Sequence, residues 1–155
     1  MTWDAGKAAA IIEANRHLEG AALPVLRALH AAFGYLPDAA TAQVAEALNL
    51  SRAEVHGIIT FYHDFRREPA GRTSLKLCRA EACQAMGGEA LAAQACERLG
   101  TSWHGTSADG AVTLEPVFCL GLCSVAPAAL VGDELVARAD WPRIAQALER
   151  RERER

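Results

Sequence analysis

The stretch TSLKLCRAEACQAMGGEALAAQACERL, residues 73–99, decides the fold. It opens by alternating: Leu75 and Leu77 are apolar and Ser74 and Lys76 polar, a period of two that predicts a short strand ending at Cys78. After Gly87 and Gly88 the period lengthens, and Leu91, Ala92, Ala95 and Leu99 fall on one face of a helix. A strand that turns into a helix through a cysteine-bearing loop starts an α/β layer. The rest of that layer follows downstream. A second strand is expected at residues 112–114 after the Asp109-Gly110 turn, with Pro116 limiting further pairing. Residues 128–131 and 134–137 flank Gly132-Asp133, whose leading glycine fits a type II′ hairpin. Asp140 is placed to cap a last helix with Pro142 in its first turn and Ile144, Ala147 and Leu148 inward. The final ERRERER reads as a solvated, fraying helix end.

Upstream the pattern is helical throughout. Ser51 and Glu54 are spaced as a capping box, in which the serine accepts from the N3 amide and the glutamate reaches back. Behind them Val55, Ile58, Ile59 and Tyr62 recur at helical spacing, which predicts four residues on one buried face. Pro24 suits the first turn of a helix carrying Leu26, Leu29 and Phe33, and Gly34 suits its left-handed stop. Asp38 is expected to cap a short helix with Val44, Ala45 and Leu48 inward, and an opening helix is expected over about residues 4–18. Charge, proline and glycine combine in REPAGR, residues 67–72, which marks a linker. The expected organisation is α+β: a helical domain over residues 1–67, then an α/β domain over residues 68–155.

Composition narrows the class of function. Apolar residues make up 51% and charged residues 23%, as in a folded globular chain. The net charge of -3 supplies no electrostatic reason for a nucleic-acid partner. The longest apolar runs fall far short of the roughly 20 residues that a membrane span requires, so no direct membrane insertion is expected. No basic segment leads into an apolar one at the start, so a reducing cytoplasm is the expected location. Glycine-rich nucleotide loops and nucleophile elbows are absent from the sequence.

In that compartment the five cysteines need an explanation other than disulfides. Four of them form two close pairs: Cys78-x4-Cys83, then thirty-five residues, then Cys119-x3-Cys123. Each pair lies just past a predicted strand end, and together they offer four thiolates to one tetrahedral or binuclear centre. Small neighbours, Ala80, Ala82, Ala85, Gly121 and Ser124, leave room for it. A structural zinc site also takes four cysteines, although its pairs usually read C-x2-C. A dithiol enzyme of the thioredoxin kind wants C-x-x-C at a helix start, which is missing. Four ordinary cysteines are the plainest alternative. Cys96 differs, since it sits beside Ala92 and Leu99 on an apolar helix face and reads as a small core residue. None of the five histidines has ligand spacing, and only His63, in FYHDF, stands at a conspicuous place.

With these residues in view the chain resembles the thioredoxin-like [2Fe-2S] subunits of NAD-linked oxidoreductases. The helical segment from LPVLRALHAAFGYLPD to ITFYHDF is similar to the part of that family preceding the ferredoxin domain. The order C-x4-C and then CLGLCSVAP is similar to its ligand pattern. The resemblance implies a thioredoxin-like α/β ferredoxin domain and one [2Fe-2S] cluster on Cys78, Cys83, Cys119 and Cys123, with no catalytic residue of its own. It also implies an FMN- and NAD-binding flavoprotein partner. The wording CRAEACQAMGG, with FYHDFR, looks like the gamma subunit of NAD-dependent formate dehydrogenase. That branch implies a molybdenum-containing catalytic subunit in the same assembly, the molybdenum cofactor staying on that partner. The alternatives within the family are the corresponding subunits of NADH:quinone oxidoreductase (complex I) and of NAD-reducing hydrogenases. A zinc-stabilised interaction module is the alternative of a different class.

Overall fold

The structure is a computed structural model that describes residues 2–154. The chain divides into two compact units, Met1–Pro69 and Ala70–Arg155, the division falling inside the REPAGR segment.

The first unit contains four helices, α1 (Ala5–Asn15), α2 (Ala22–Phe33), α3 (Asp38–Leu48) and α4 (Arg52–Phe61). Asp4 caps α1 by accepting from the Lys7 amide at 2.9 Å. Gly34 closes α2 in the left-handed region at φ 78°. The capping box of α4 is complete: the Glu54 amide donates to Ser51 Oγ at 3.2 Å and the Ser51 amide donates to Glu54 Oε2 at 2.8 Å. Val25, Leu26, Leu29, Leu36, Val44, Val55 and Ile59 are buried at the centre of this unit.

Two expectations change here. Asp38 is the first residue of α3 and not its cap, because its carboxylate is drawn to the Arg67 guanidinium while Pro37 takes the cap position. Tyr62 is not on the buried face of α4. The helix ends at Phe61, so Tyr62 leaves the helical path and stays 42% exposed, while Val55 and Ile59 are the buried pair.

The second unit is built on a four-stranded sheet of order β2-β1-β3-β4. Its strands are β1 (Thr73–Cys78), β2 (Val112–Val117), β3 (Ala128–Val131) and β4 (Glu134–Ala137). β1 and β2 are parallel, and the remaining pairs are antiparallel. Leu75 and Leu77 of β1 are buried with Leu114, Val131 and Ile144 in a core that α6 (Gly88–Leu99) and α7 (Trp141–Arg153) help to form. Gly132, at φ 61°, and Asp133 make the two-residue turn between β3 and β4.

Three features depart from the sequence expectation. β2 continues through Pro116 because it is an edge strand, where a missing N–H costs no ladder partner on the open side. A one-turn helix, α5 (Glu81–Ala85), starts inside the loop after Cys78 and carries Cys83. The C-terminal helix is not merely a solvated end: Arg150 pairs with Glu134 at 2.5 Å and Arg151 with Asp133 at 2.6 Å, tying α7 to the hairpin.

Candidate metal centre

The parallel register sets Cys78, the last residue of β1, level with Val117, the last residue of β2. The first cysteine pair therefore starts at the carboxyl end of β1, and the second begins two residues beyond the carboxyl end of β2. This is the end of a parallel strand pair where α/β proteins place their ligands. The Arg79 amide donates to the Val117 carbonyl at 2.8 Å and extends the ladder to the mouth of both loops.

The structure brings the four predicted cysteines together as two pairs. Cys78 and Cys83 are both buried, at 5% and 2% exposure, and each shifts the ionisation of the other. The Cys119 and Cys123 sulfurs lie 3.7 Å apart at the surface. The two loops are close enough to act on one another's ionisation: the Cys119 and Leu120 backbone favours the Cys78 thiolate, and charge on Cys123 opposes that on Cys78 and Cys83. No disulfide joins any of them. Cys119 takes up a left-handed backbone at φ 80°, and the Gly121 amide donates to its sulfur at 3.4 Å.

The thiols are electrostatically unlike. Burial pushes the Cys78 thiol up, but the Ala80 amide, the Cys83 thiol and the Cys119 and Leu120 amides together outweigh it and hold Cys78 below the ordinary range. Burial pushes Cys83 up, the Cys78 thiol adds to this, and the Ala128 amide offsets only part of it. The hydrogen bond with Cys119 pushes Cys123 up. Donors aimed at sulfur are what a metal-bound thiolate requires, because they stabilise its negative charge.

Four cysteine sulfurs are a donor set that both zinc and iron-sulfur chemistry can use. Among the described residues no three His, Cys, Asp or Glu side chains converge as they would on a single ion. A closed zinc site gathers four ligands around one metal. The two thiol pairs, the first of them packed against Ala80, Ala82, Val117, Leu120 and Leu122, offer the four sulfur donors and the apolar surroundings that suit a binuclear iron-sulfur cluster. Cys96 lies apart, half-buried against the core of the second unit, and His63 is exposed, with Nδ1 3.0 Å from the Phe61 carbonyl oxygen. Sequence reasoning misses the residues that hold the first loop in place. The Gln84 side chain donates to the Arg79 carbonyl at 2.7 Å, and a Cβ on Gly88 would meet the Cys83 carbonyl oxygen at 2.6 Å. The Gly87-Gly88 doublet is the available signal, because paired glycines mark close backbone approach as well as a helix start.

Known proteins agree with this architecture. The family described as thioredoxin-like [2Fe-2S] ferredoxin matches residues 8–152. The chain is 38% identical to an NADH-quinone oxidoreductase subunit of Rhizobium meliloti over 83% of this chain and 77% of the relative. It is 34% identical to the corresponding NADH-quinone oxidoreductase subunit of Pseudomonas aeruginosa over 74% of this chain and 69% of that one. Among solved structures, an NAD+-reducing [NiFe]-hydrogenase in the H2-reduced state superposes with a TM-score of 0.66 at 28% identity, over 84% of this chain but only 22% of the hydrogenase chain. None of these relatives is a formate dehydrogenase, so the branch read from CRAEACQAMGG, with its molybdenum subunit, gains no support, and the alternatives fit better. With a match that runs nearly end to end, the chain belongs to the thioredoxin-like [2Fe-2S] ferredoxin family.

Proposed function

We propose that Cys78, Cys83, Cys119 and Cys123 hold one [2Fe-2S] cluster and that the chain serves as an electron-transfer subunit of an NADH-oxidising complex. The parent complex is of the NADH-quinone oxidoreductase or NAD-reducing hydrogenase type, as the relatives suggest. The observation that carries this reading is the placement of two cysteine pairs at the neighbouring carboxyl ends of β1 and β2. When bound, the cluster accepts or returns one electron at a time. The chain's own contribution is unequal shielding: the buried pair excludes water on one side, and the exposed pair, beside Phe118 at 72% exposure, faces the direction from which a partner can approach.

The partner in this reading is an FMN- and NAD-binding flavoprotein subunit, and the helical unit is its docking element. Phe61 is 73% exposed and stacks edge-on with Tyr62 at 5.1 Å, beside a surface hollow lined by Ala22, Leu50, Gly57 and Ile58. Aromatic side chains are the type enriched where interfaces are anchored. A molybdenum-containing partner remains the reading of the sequence wording alone. Iron and acid-labile sulfide analysis of the purified chain tests the proposal: about two of each per chain, with visible absorption that bleaches on reduction, supports it. A colourless protein containing zinc contradicts it. The subunits that copurify from the native cell decide the parent complex.

A further inference from the structure

Arg79 stands between the first ligand and the one-turn helix that carries the second, and its amide, its carbonyl and its guanidinium are all engaged. Its amide donates to the Val117 carbonyl at 2.8 Å, and its carbonyl accepts from the Gln84 side chain at 2.7 Å. The side chain turns the other way. Nη2 and Nε lie 2.7 and 3.3 Å from Glu89 Oε1, in the first turn of α6, and the guanidinium carbon sits 5.1 Å from the centroid of the Trp103 ring. Trp103 is itself half-buried against the core of the second unit. One residue thus joins the end of β2, α5, α6 and the loop after α6.

We infer that Arg79 is a positioning residue, a strap whose guanidinium, held between Glu89 and the face of Trp103, fixes the spacing of Cys78 and Cys83 for the cluster. The inference rests on the proposed cluster and deepens it. Its physical basis is geometric. A loop of four residues between two ligands has conformational freedom, and α5 has only five residues and no side-chain cap to hold itself rigid. The strap removes that freedom by attaching the residue next to Cys78 to the helix that packs on Cys83. Only arginine suits the place, because a planar guanidinium donates in its plane while stacking through its face, and a lysine ammonium does one or the other.

The strap is also distinguishable from a stabilising ion pair. The Arg79 and Glu89 side chains are 32% and 56% exposed, and pairs so placed contribute little to global stability. Changing them is therefore expected to disturb the ligands without unfolding the protein.

The test uses the full chain reconstituted with iron and sulfide, comparing wild type with Arg79→Lys, Arg79→Gln and Glu89→Gln. Three quantities are read: iron release to a chelator, the visible circular dichroism of the cluster, and the melting temperature of the apo chain. The expected result is release about tenfold faster in all three variants, the scale typical of groups that support metal ligands. The dichroism should change, melting should stay near wild type, and lysine should fail to rescue. Release at the wild-type rate in Arg79→Lys and Glu89→Gln overturns the inference. So does a fall in apo melting that tracks the release rate, since that marks a purely structural role. A wild-type chain that assembles no cluster contradicts the proposed function itself, and the inference falls with it.

Discussion

Gly88 packs so tightly on Cys83 that a Cβ at position 88 would lie 2.6 Å from the Cys83 carbonyl oxygen and 2.9 Å from its carbonyl carbon. Both atoms are backbone, so neither can swing aside. The start of α6 and the second cysteine of the first pair are thus in direct register, and the glycine is required by close approach rather than by a left-handed backbone.

A pair of glycine substitutions exposes this difference. Gly88→Ala should destabilise the second unit by about 1–3 kcal/mol, the usual cost of forcing an extra methyl group into a packed site. It should lower cluster content as Cys83 is displaced. Gly57→Ala should do the opposite, since position 57 is exposed on α4 with no atom within 4 Å of the new methyl group. Alanine there should stabilise the chain by about 0.5–1 kcal/mol by helix preference alone. Chemical denaturation of the two variants against wild type measures both signs.

The capping box supplies a pH-dependent prediction. Ser51→Ala removes the acceptor for the Glu54 amide and should cost about 1 kcal/mol. In the folded chain the Ser51 backbone amide, and then the Ser51 hydroxyl, hold the Glu54 carboxyl below the usual glutamate range. A depressed folded value means that this contribution is fully present above the unfolded pKa and disappears as pH falls through the folded one. The difference in stability between wild type and Glu54→Gln should therefore be constant from neutral pH down to about 5 and shrink below about 4. A difference that grows on acidification would contradict it.

The second unit has its own core and includes every candidate ligand. A fragment of residues 70–155 is expected to fold and to take up a cluster on reconstitution and, under the proposed docking role of the helices, to lose affinity for the flavoprotein partner. Circular dichroism, iron content and a pull-down against that partner check the three parts separately. A fragment that binds the flavoprotein as tightly as the full chain would remove the docking role from the helical unit.

What could be read from sequence was local. The Ser51–Glu54 box, the Leu75/Leu77 alternation and the Gly132-Asp133 turn each depend on residues no more than three apart, and each forms as written. The cysteine pairs were legible because spacing within each pair is a local property as well. What escaped was set by tertiary position. Pro116 lies in a strand because β2 is at an edge, and edge status cannot be seen along the chain. Asp38 leaves its expected cap for Arg67, twenty-nine residues away. Arg150 and Arg151 find acids on a hairpin sixteen or more residues upstream. The helix α5 escaped for a different reason, since five residues are too few to show a period.

The measurement that bears most directly on the central claim is the iron content and visible spectrum of five single Cys→Ser variants, purified side by side. The Cys78, Cys83, Cys119 and Cys123 variants should each lose the wild-type spectrum, because each removes one member of a facing thiol pair. Cys96→Ser should keep spectrum and iron, with only a small loss of stability, because that side chain packs against the core away from the other four. A normal cluster in any of the first four variants, or its loss in Cys96→Ser, would contradict the account.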